Sequence, residues 1–278
     1  MTIQTLHSIL VTTDPDLLLS HLPVVDQEVY KSRTRPLSCN EPQFYWIFKN
    51  IDFDQWQGTN SLGVLWLCGP ADCRISGASS HIVDLVKEKY PEVQHSVLYF
   101  FCSTAPTNVS IAITFVSTIV HQLIRCSPKL RQKITTVFLC TLLDRIFEEE
   151  EKRSKLHMPR FNAGDSAEVM VKKILQAPSD AYWGALKAAT DIEREKGLSV
   201  IIDGLDMIKN CKYEFIREFC VFIEYLRGRP STTRVLLTSR PQAEIREMIG
   251  RLPSIEYDKE RKGLFCLISH PRDIQGSH

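Results

Sequence analysis

Apolar residues in this chain come in two formats. There are short continuous runs, and there are longer stretches where they recur every three or four positions. The runs read as buried strands: Gly63 to Cys68, Ser96 to Cys102, Leu198 to Asp203 and Arg234 to Thr238. The periodic stretches read as amphipathic helices over 77–88, 110–125, 128–147, 166–176, 180–195 and 213–227, with a last one from Glu244 to Ile249. Strands alternating with helices predict a parallel sheet with crossover helices on its faces, an α/β three-layer sandwich. No segment repeats with a period of 20 to 50 residues, so a solenoid is excluded.

Departures from the alternation divide the chain. Residues 1–40 form an N-terminal approach segment, and 41–62 an aromatic helical lead-in. The core spans 63–250, with an exposed loop near 148–165, and a polar tail covers 251–278. In the lead-in, Trp46, Phe53 and Trp56 follow helical spacing only loosely. Aromatics at that density fit core or docking positions better than a base-stacking surface. Between Glu148 and Asp165, four glutamates followed by Lys152, Arg153 and Lys155 predict a solvated helix end and a loop, where a regulatory or partner-binding role competes with a plain surface.

Composition narrows the function classes. The 278 residues are 44% hydrophobic and 24% charged, which suits a globular protein with a substantial core. A formal net charge of +1 argues against a domain-wide nucleic-acid interface. Met1 to Val11 lacks the basic start and cleavage site of a secretory signal, and no apolar run is long enough to span a bilayer. The nine cysteines show no C-x-x-C pair and no zinc spacing, as expected of reduced thiols in a cytoplasmic protein.

Three places carry chemistry: a strand–loop–helix junction beginning at Gly69, the acidic strand end Asp203-Gly204-Leu205-Asp206, and the strand end Ser239-Arg240. In a parallel sheet, strand C-termini converge on one edge, where ligands bind. Residues far apart in sequence therefore meet there. Taken singly, each has a plainer reading: Asp203 as a helix cap, Ser76 as an N-cap, Arg240 as a surface ion-pair partner.

Together they carry a resemblance. The Asp203 to Asp206 run is similar to the Walker B signature of NACHT domains, and Leu236 to Pro241 resembles their sensor strand. Phe44 to Trp56 resembles the lead-in of fungal NACHT and nephrocystin-3-like N-terminal domains. The resemblance implies a P-loop NTPase-like fold with a mainly parallel sheet, binding ATP or another NTP with magnesium. It assigns Gly69, Arg74, Ser76 and Arg240 to the phosphates, Ser76 and Asp203 to magnesium, and Asp206 to orienting the attacking water. It also implies signal transduction through protein partners or self-association, with neither nucleic acid nor membrane as partner. The family's usual repeat-containing sensor and effector regions are not evident in this stretch.

The phosphate-binding loop departs from the pattern G-x-x-x-x-G-K-[ST]. Here it reads Gly69-Pro-Ala-Asp-Cys-Arg-Ile-Ser76. Arg74 stands where the second glycine belongs, which predicts about 1–2 kcal/mol of strain or a reshaped loop. Ile75 stands in place of the lysine, removing a charge-assisted bond of roughly 1.5–3 kcal/mol. Asp72 adds a negative charge expected to oppose phosphate. Met207 stands where a further acid is common. Both the nucleotide and its magnesium are therefore expected to be held weakly or lost. The expectation is a signalling scaffold with little NTPase activity. The competing one is a working ATP switch in which Arg74 substitutes for the lysine.

Overall fold

A computed structural model describes residues 19–34, 44–58, 62–92, 94–106, 109–154, 174–257 and 266–267. Five strands run parallel: β1 (Leu62–Cys68), β2 (His95–Phe101), β3 (Gly197–Asp203), β4 (Thr233–Ser239) and β5 (Ser254–Glu256). The spatial order is β2-β3-β4-β1-β5, and β6 (Cys266–Leu267) adds an antiparallel pairing beyond β5. Nine helices are present among the described residues. They are α1 (Gln27–Thr34), α2 (Tyr45–Phe48), α3 (Ile51–Gly58), α4 (Ile75–Lys89), α5 (Ile111–Cys126), α6 (Arg131–Ser154), α7 (Ser179–Asp191), α8 (Lys212–Arg227) and α9 (Ala243–Ile249).

The strands read as unbroken apolar runs because both faces of the sheet are covered. Every residue of β2, β3 and β4 is buried. Alternate side chains feed two separate cores. Trp66, Leu98, Phe100, Val200, Ile202 and Leu237 face one that includes residues of α5 to α9. Leu65, Leu67, Tyr99, Phe101, Ile201 and Leu236 face the other, with α2, α3 and α4. This is the expected three-layer α/β sandwich. The lead-in aromatics Trp46, Phe53 and Trp56 are core residues of the second layer, and the Trp56 indole N–H donates to the Val235 carbonyl at 3.1 Å.

Three differences from the sequence reading stand out. First, α6 runs to Ser154, through the charged stretch expected to break the pattern. Residues 155–165 of the expected loop, and 166–173 of the expected helix, lie outside the described residues. Second, the stretch read as a polar tail contributes β5, whose Ile255 is fully buried. The Trp66 amide donates to the Pro253 carbonyl and the Tyr257 amide to the Cys68 carbonyl, each at 2.8 Å, so this strand is hydrogen-bonded against β1 up to the start of the phosphate loop. Third, α1 lies in the approach segment and docks against β2 and α4.

No helix among the described residues is long and apolar enough to cross a membrane. All seven cysteines with described side chains are free thiols.

At the end of the sheet where β2 begins, His95 is buried and shares a 2.8 Å hydrogen bond with the Ser199 hydroxyl. Burial, reinforced by Arg234 and Lys196, pushes the imidazole down from its ordinary 6.5 to about 4. Between those values the unfolded chain takes up a proton that the folded one refuses, so stability falls as pH drops through that window. Urea unfolding of wild type and of His95→Gln from pH 7.5 to pH 4.5 measures this. The wild type is expected to lose stability more steeply, and parallel curves would remove His95 as the cause.

Candidate functional site

The chain leaves β1 at Cys68 and turns through Gly69 into α4. At Gly69 the backbone passes so close to its surroundings that a Cβ would lie 2.6 Å from the Cys73 sulfur and 3.1 Å from Ile75 Cδ1. Only glycine fits there. After a short 3-10 turn, Arg74 caps α4 with φ 53° and ψ 41°, in the left-handed region. Arg74 adopts the conformation that glycine takes freely, at a strain of about 1–2 kcal/mol.

Ile75 lines the cleft where a lysine head group would stand, but offers it only hydrocarbon. Its side chain is largely buried, packs against Gly69 and belongs to the core beneath the loop. Asp72 is exposed in the 3-10 turn and is not among the residues lining the cleft.

Asp203, at the end of β3, is buried and accepts three hydroxyl hydrogen bonds. Ser76 donates to Oδ2 at 2.7 Å, while Ser79 at 2.7 Å and Thr238 at 2.8 Å donate to Oδ1. Burial raises this carboxyl above its ordinary value; the three hydroxyls oppose the shift, and the nearby Asp206 adds to it. Ser76 is neither a cap of α4 nor exposed, and Asp203 caps no helix, so the plainer readings of both give way to this junction.

Sequence reasoning missed Ser79 and Thr238. Ser79 lies three residues after Ser76 on the same face of α4. Thr238 follows Leu237, which pairs with Ile202, so the parallel register alone places it beside Asp203. Gly204 then takes φ 77°, and its amide donates to Thr238 Oγ1 at 2.9 Å, turning the chain away from the sheet.

Asp206 is engaged by Arg240. The Arg240 amide donates to Oδ1 at 2.9 Å and the guanidinium lies 3.4 Å from Oδ2. The Asp206 side chain is 5% exposed and that of Arg240 54%. The two strand ends are thus joined by an ion pair. Gly69, Arg74, Ser76, Asp203, Asp206 and Arg240 all line one cleft of about 520 Å³, a size suited to a small ligand. The cleft opens at the C-terminal ends of β1, β3 and β4, where the chain's order in the sheet switches direction. Tyr30, Arg33 and Thr34 of α1 form a wall of the same cleft, which the sequence did not foretell. No group of three or more His, Cys, Asp or Glu side chains that could hold a metal occurs among the described residues.

The family model described as nephrocystin 3, N-terminal, matches residues 43–240, from the aromatic lead-in to the last residue of the Asp206–Arg240 pair. The chain belongs to the nephrocystin 3 N-terminal family. The matched stretch contains all six residues expected at the site, together with Ser79 and Thr238, whereas α1 and β5 lie outside it. No curated protein matches the chain.

Proposed function

We propose that this chain is a degenerate NACHT-like nucleotide-binding module, acting as a protein-interaction or signalling scaffold in the cytoplasm, with weak or no NTPase activity. The observation that carries this reading is Ile75, which occupies the lysine position and packs against Gly69 beneath the loop instead of presenting a charge to the cleft. A phosphate chain on this loop would meet the first amides of α4, a 15-residue helix, but no lysine bridging its β- and γ-groups.

The remaining donor set fits magnesium. The Ser76 hydroxyl commits its proton to Asp203, which leaves its oxygen lone pairs available, and Asp203 Oδ2 accepts only this one hydroxyl. Ser76 and Asp203 would hold the ion, which when bound offsets the charge of phosphate oxygens. Asp206 is less suited to orient water, because both its oxygens are engaged by Arg240. That pairing supports binding without efficient hydrolysis.

Arg74 supports the second reading, an ATP switch with a substitute cation, because its exposed side chain lines the cleft. Calorimetric titration with ATP and magnesium separates the two. The degenerate reading expects a Kd weaker than about 100 μM, on the order of 5 kcal/mol of binding free energy or less. Micromolar or tighter affinity, lost in Arg74→Ala, overturns it in favour of the switch.

A further inference from the structure

The α1 helix is fastened to the site by a dense set of polar contacts. The Gln27 side chain accepts from the Phe101 amide at 2.7 Å and donates to Thr104 at 3.0 Å. Glu28 accepts from Lys87 at 3.0 Å and from the Tyr99 hydroxyl. Lys31 donates to Asp84 at 2.7 Å, and the Thr34 and Ser80 hydroxyls lie 2.6 Å apart. Five of these six partners, Ser80, Asp84, Lys87, Tyr99 and Phe101, lie on α4 and β2, so α1 is held on the helix that begins at the Gly69 loop. Its exposed Arg33 lines the cleft, as Arg74 and Arg240 do from the loop and from the end of β4.

Among the described residues, the two aromatic rings that line the cleft are committed to packing. Phe44 is fully buried, Tyr30 packs on Phe101 with ring centroids 4.9 Å apart, and the Thr34 hydroxyl is engaged by Ser80. Beside the exposed Met207 side chain, the cleft offers guanidinium forks and helix-start amides, both of which recognise phosphate oxygens.

We propose that α1 completes this cleft as a polyphosphate site, in which Arg33, Arg74 and Arg240 together take over the charge neutralisation of the absent lysine and the ligand is recognised by its phosphate chain rather than its base. The inference rests on the reading of this cleft as a degenerate nucleotide pocket, and it names which part of the nucleotide is recognised. It also places one contact, Arg33, before the family-matched stretch.

Ligand-observed phosphorus NMR titrations of the full chain with ATP, GTP and tripolyphosphate, at one magnesium concentration and low ionic strength, test it. The three ligands are expected to bind within about threefold of one another. Arg33→Ala is expected to weaken all three by about tenfold, the loss of one charge-assisted hydrogen bond, and Arg33→Lys to restore part of it. Arg33 is exposed, so circular dichroism melts of both variants should match wild type. ATP binding more than tenfold tighter than tripolyphosphate, or an unchanged affinity in Arg33→Ala, overturns the inference while leaving the weak nucleotide pocket standing. If none of the three binds, the inference also fails, and only the scaffold reading survives. Micromolar affinity for ATP alone overturns both.

Discussion

Ile75→Lys is expected to raise the affinity for magnesium-ATP about 10- to 100-fold, the worth of one recovered charge-assisted bond to phosphate. The same change removes apolar contacts beneath the loop, where Ile75 packs with Gly69 and the core around Cys73. Stability should fall by about 1–2 kcal/mol unless the long side chain threads its head group out into the cleft. Arg74→Gly should do the reverse. Because Arg74 already holds the left-handed conformation, its strain weighs on stability and not on affinity. Relief of about 1–2 kcal/mol, less the greater freedom of glycine in the unfolded chain, leaves a gain on the order of 0.5–1 kcal/mol. The double variant also gives up the Arg74 guanidinium, so it should bind more weakly than Ile75→Lys alone and melt nearer to wild type. Calorimetric titration together with thermal unfolding reads both quantities. An unchanged affinity in Ile75→Lys would count against the loop as a phosphate site.

The second large effect is expected at Asp203, where two substitutions should part company. Asp203→Ala strands the Ser76, Ser79 and Thr238 hydroxyls, only one of which has a near alternative acceptor, the Ile75 carbonyl 3.1 Å from Ser79. A loss of about 2–4 kcal/mol follows, seen as a fall in melting temperature of roughly 5–15 °C. Asp203→Asn keeps the shape and an acceptor for two of the three. Because burial raises the Asp203 carboxyl above its unfolded value, the unfolded chain gives up this proton more readily. Wild-type stability is therefore eroded as pH rises through that window, and the cost persists above it. The asparagine variant carries no such cost, so its stability relative to wild type should improve from acid to neutral pH. Its magnesium dependence should weaken in the lysine-repaired background. If asparagine proves as damaging as alanine at every pH, the hydroxyls need the charge itself, and the burial argument fails.

How far the sequence foretold this differs between fold and site. Four of the strands and most of the helices were legible because a two-faced parallel sheet leaves long apolar runs, and its crossover helices leave a clear helical period. The fifth strand was not. Ser254-Ile-Glu256 offers a single apolar residue, too little to show any period, and it is a strand because β1 pairs with it. The end of α6 was misread for the opposite reason. Its charges suggested a loop, yet a solvated helix tolerates them, as the 3.0 Å Arg145–Glu148 pair one turn apart indicates.

At the site, Asp203 and Ser76 stood out by type and spacing, and the fold brings them into contact. Thr238 and Ser79 carry common hydroxyls that become distinctive only when register and helix face put them beside one carboxylate. Arg33 was hidden in turn-rich text, and nothing local announces that its helix forms a wall of the cleft. The conformation of Arg74 was foreseen as one of two outcomes, and only the backbone could choose between them.

The strand that the sequence concealed gives the cleft a mechanical property. Tyr257 is hydrogen-bonded to Cys68, and its Cβ lies 3.1 Å from where a side chain on Gly69 would begin. Tension along the chain past Tyr257 would be borne by a ladder ending one residue short of the loop, with no helix in between to absorb it. A substitution that displaces Tyr257 would thus reach the floor of the cleft directly, through one hydrogen bond and one close contact.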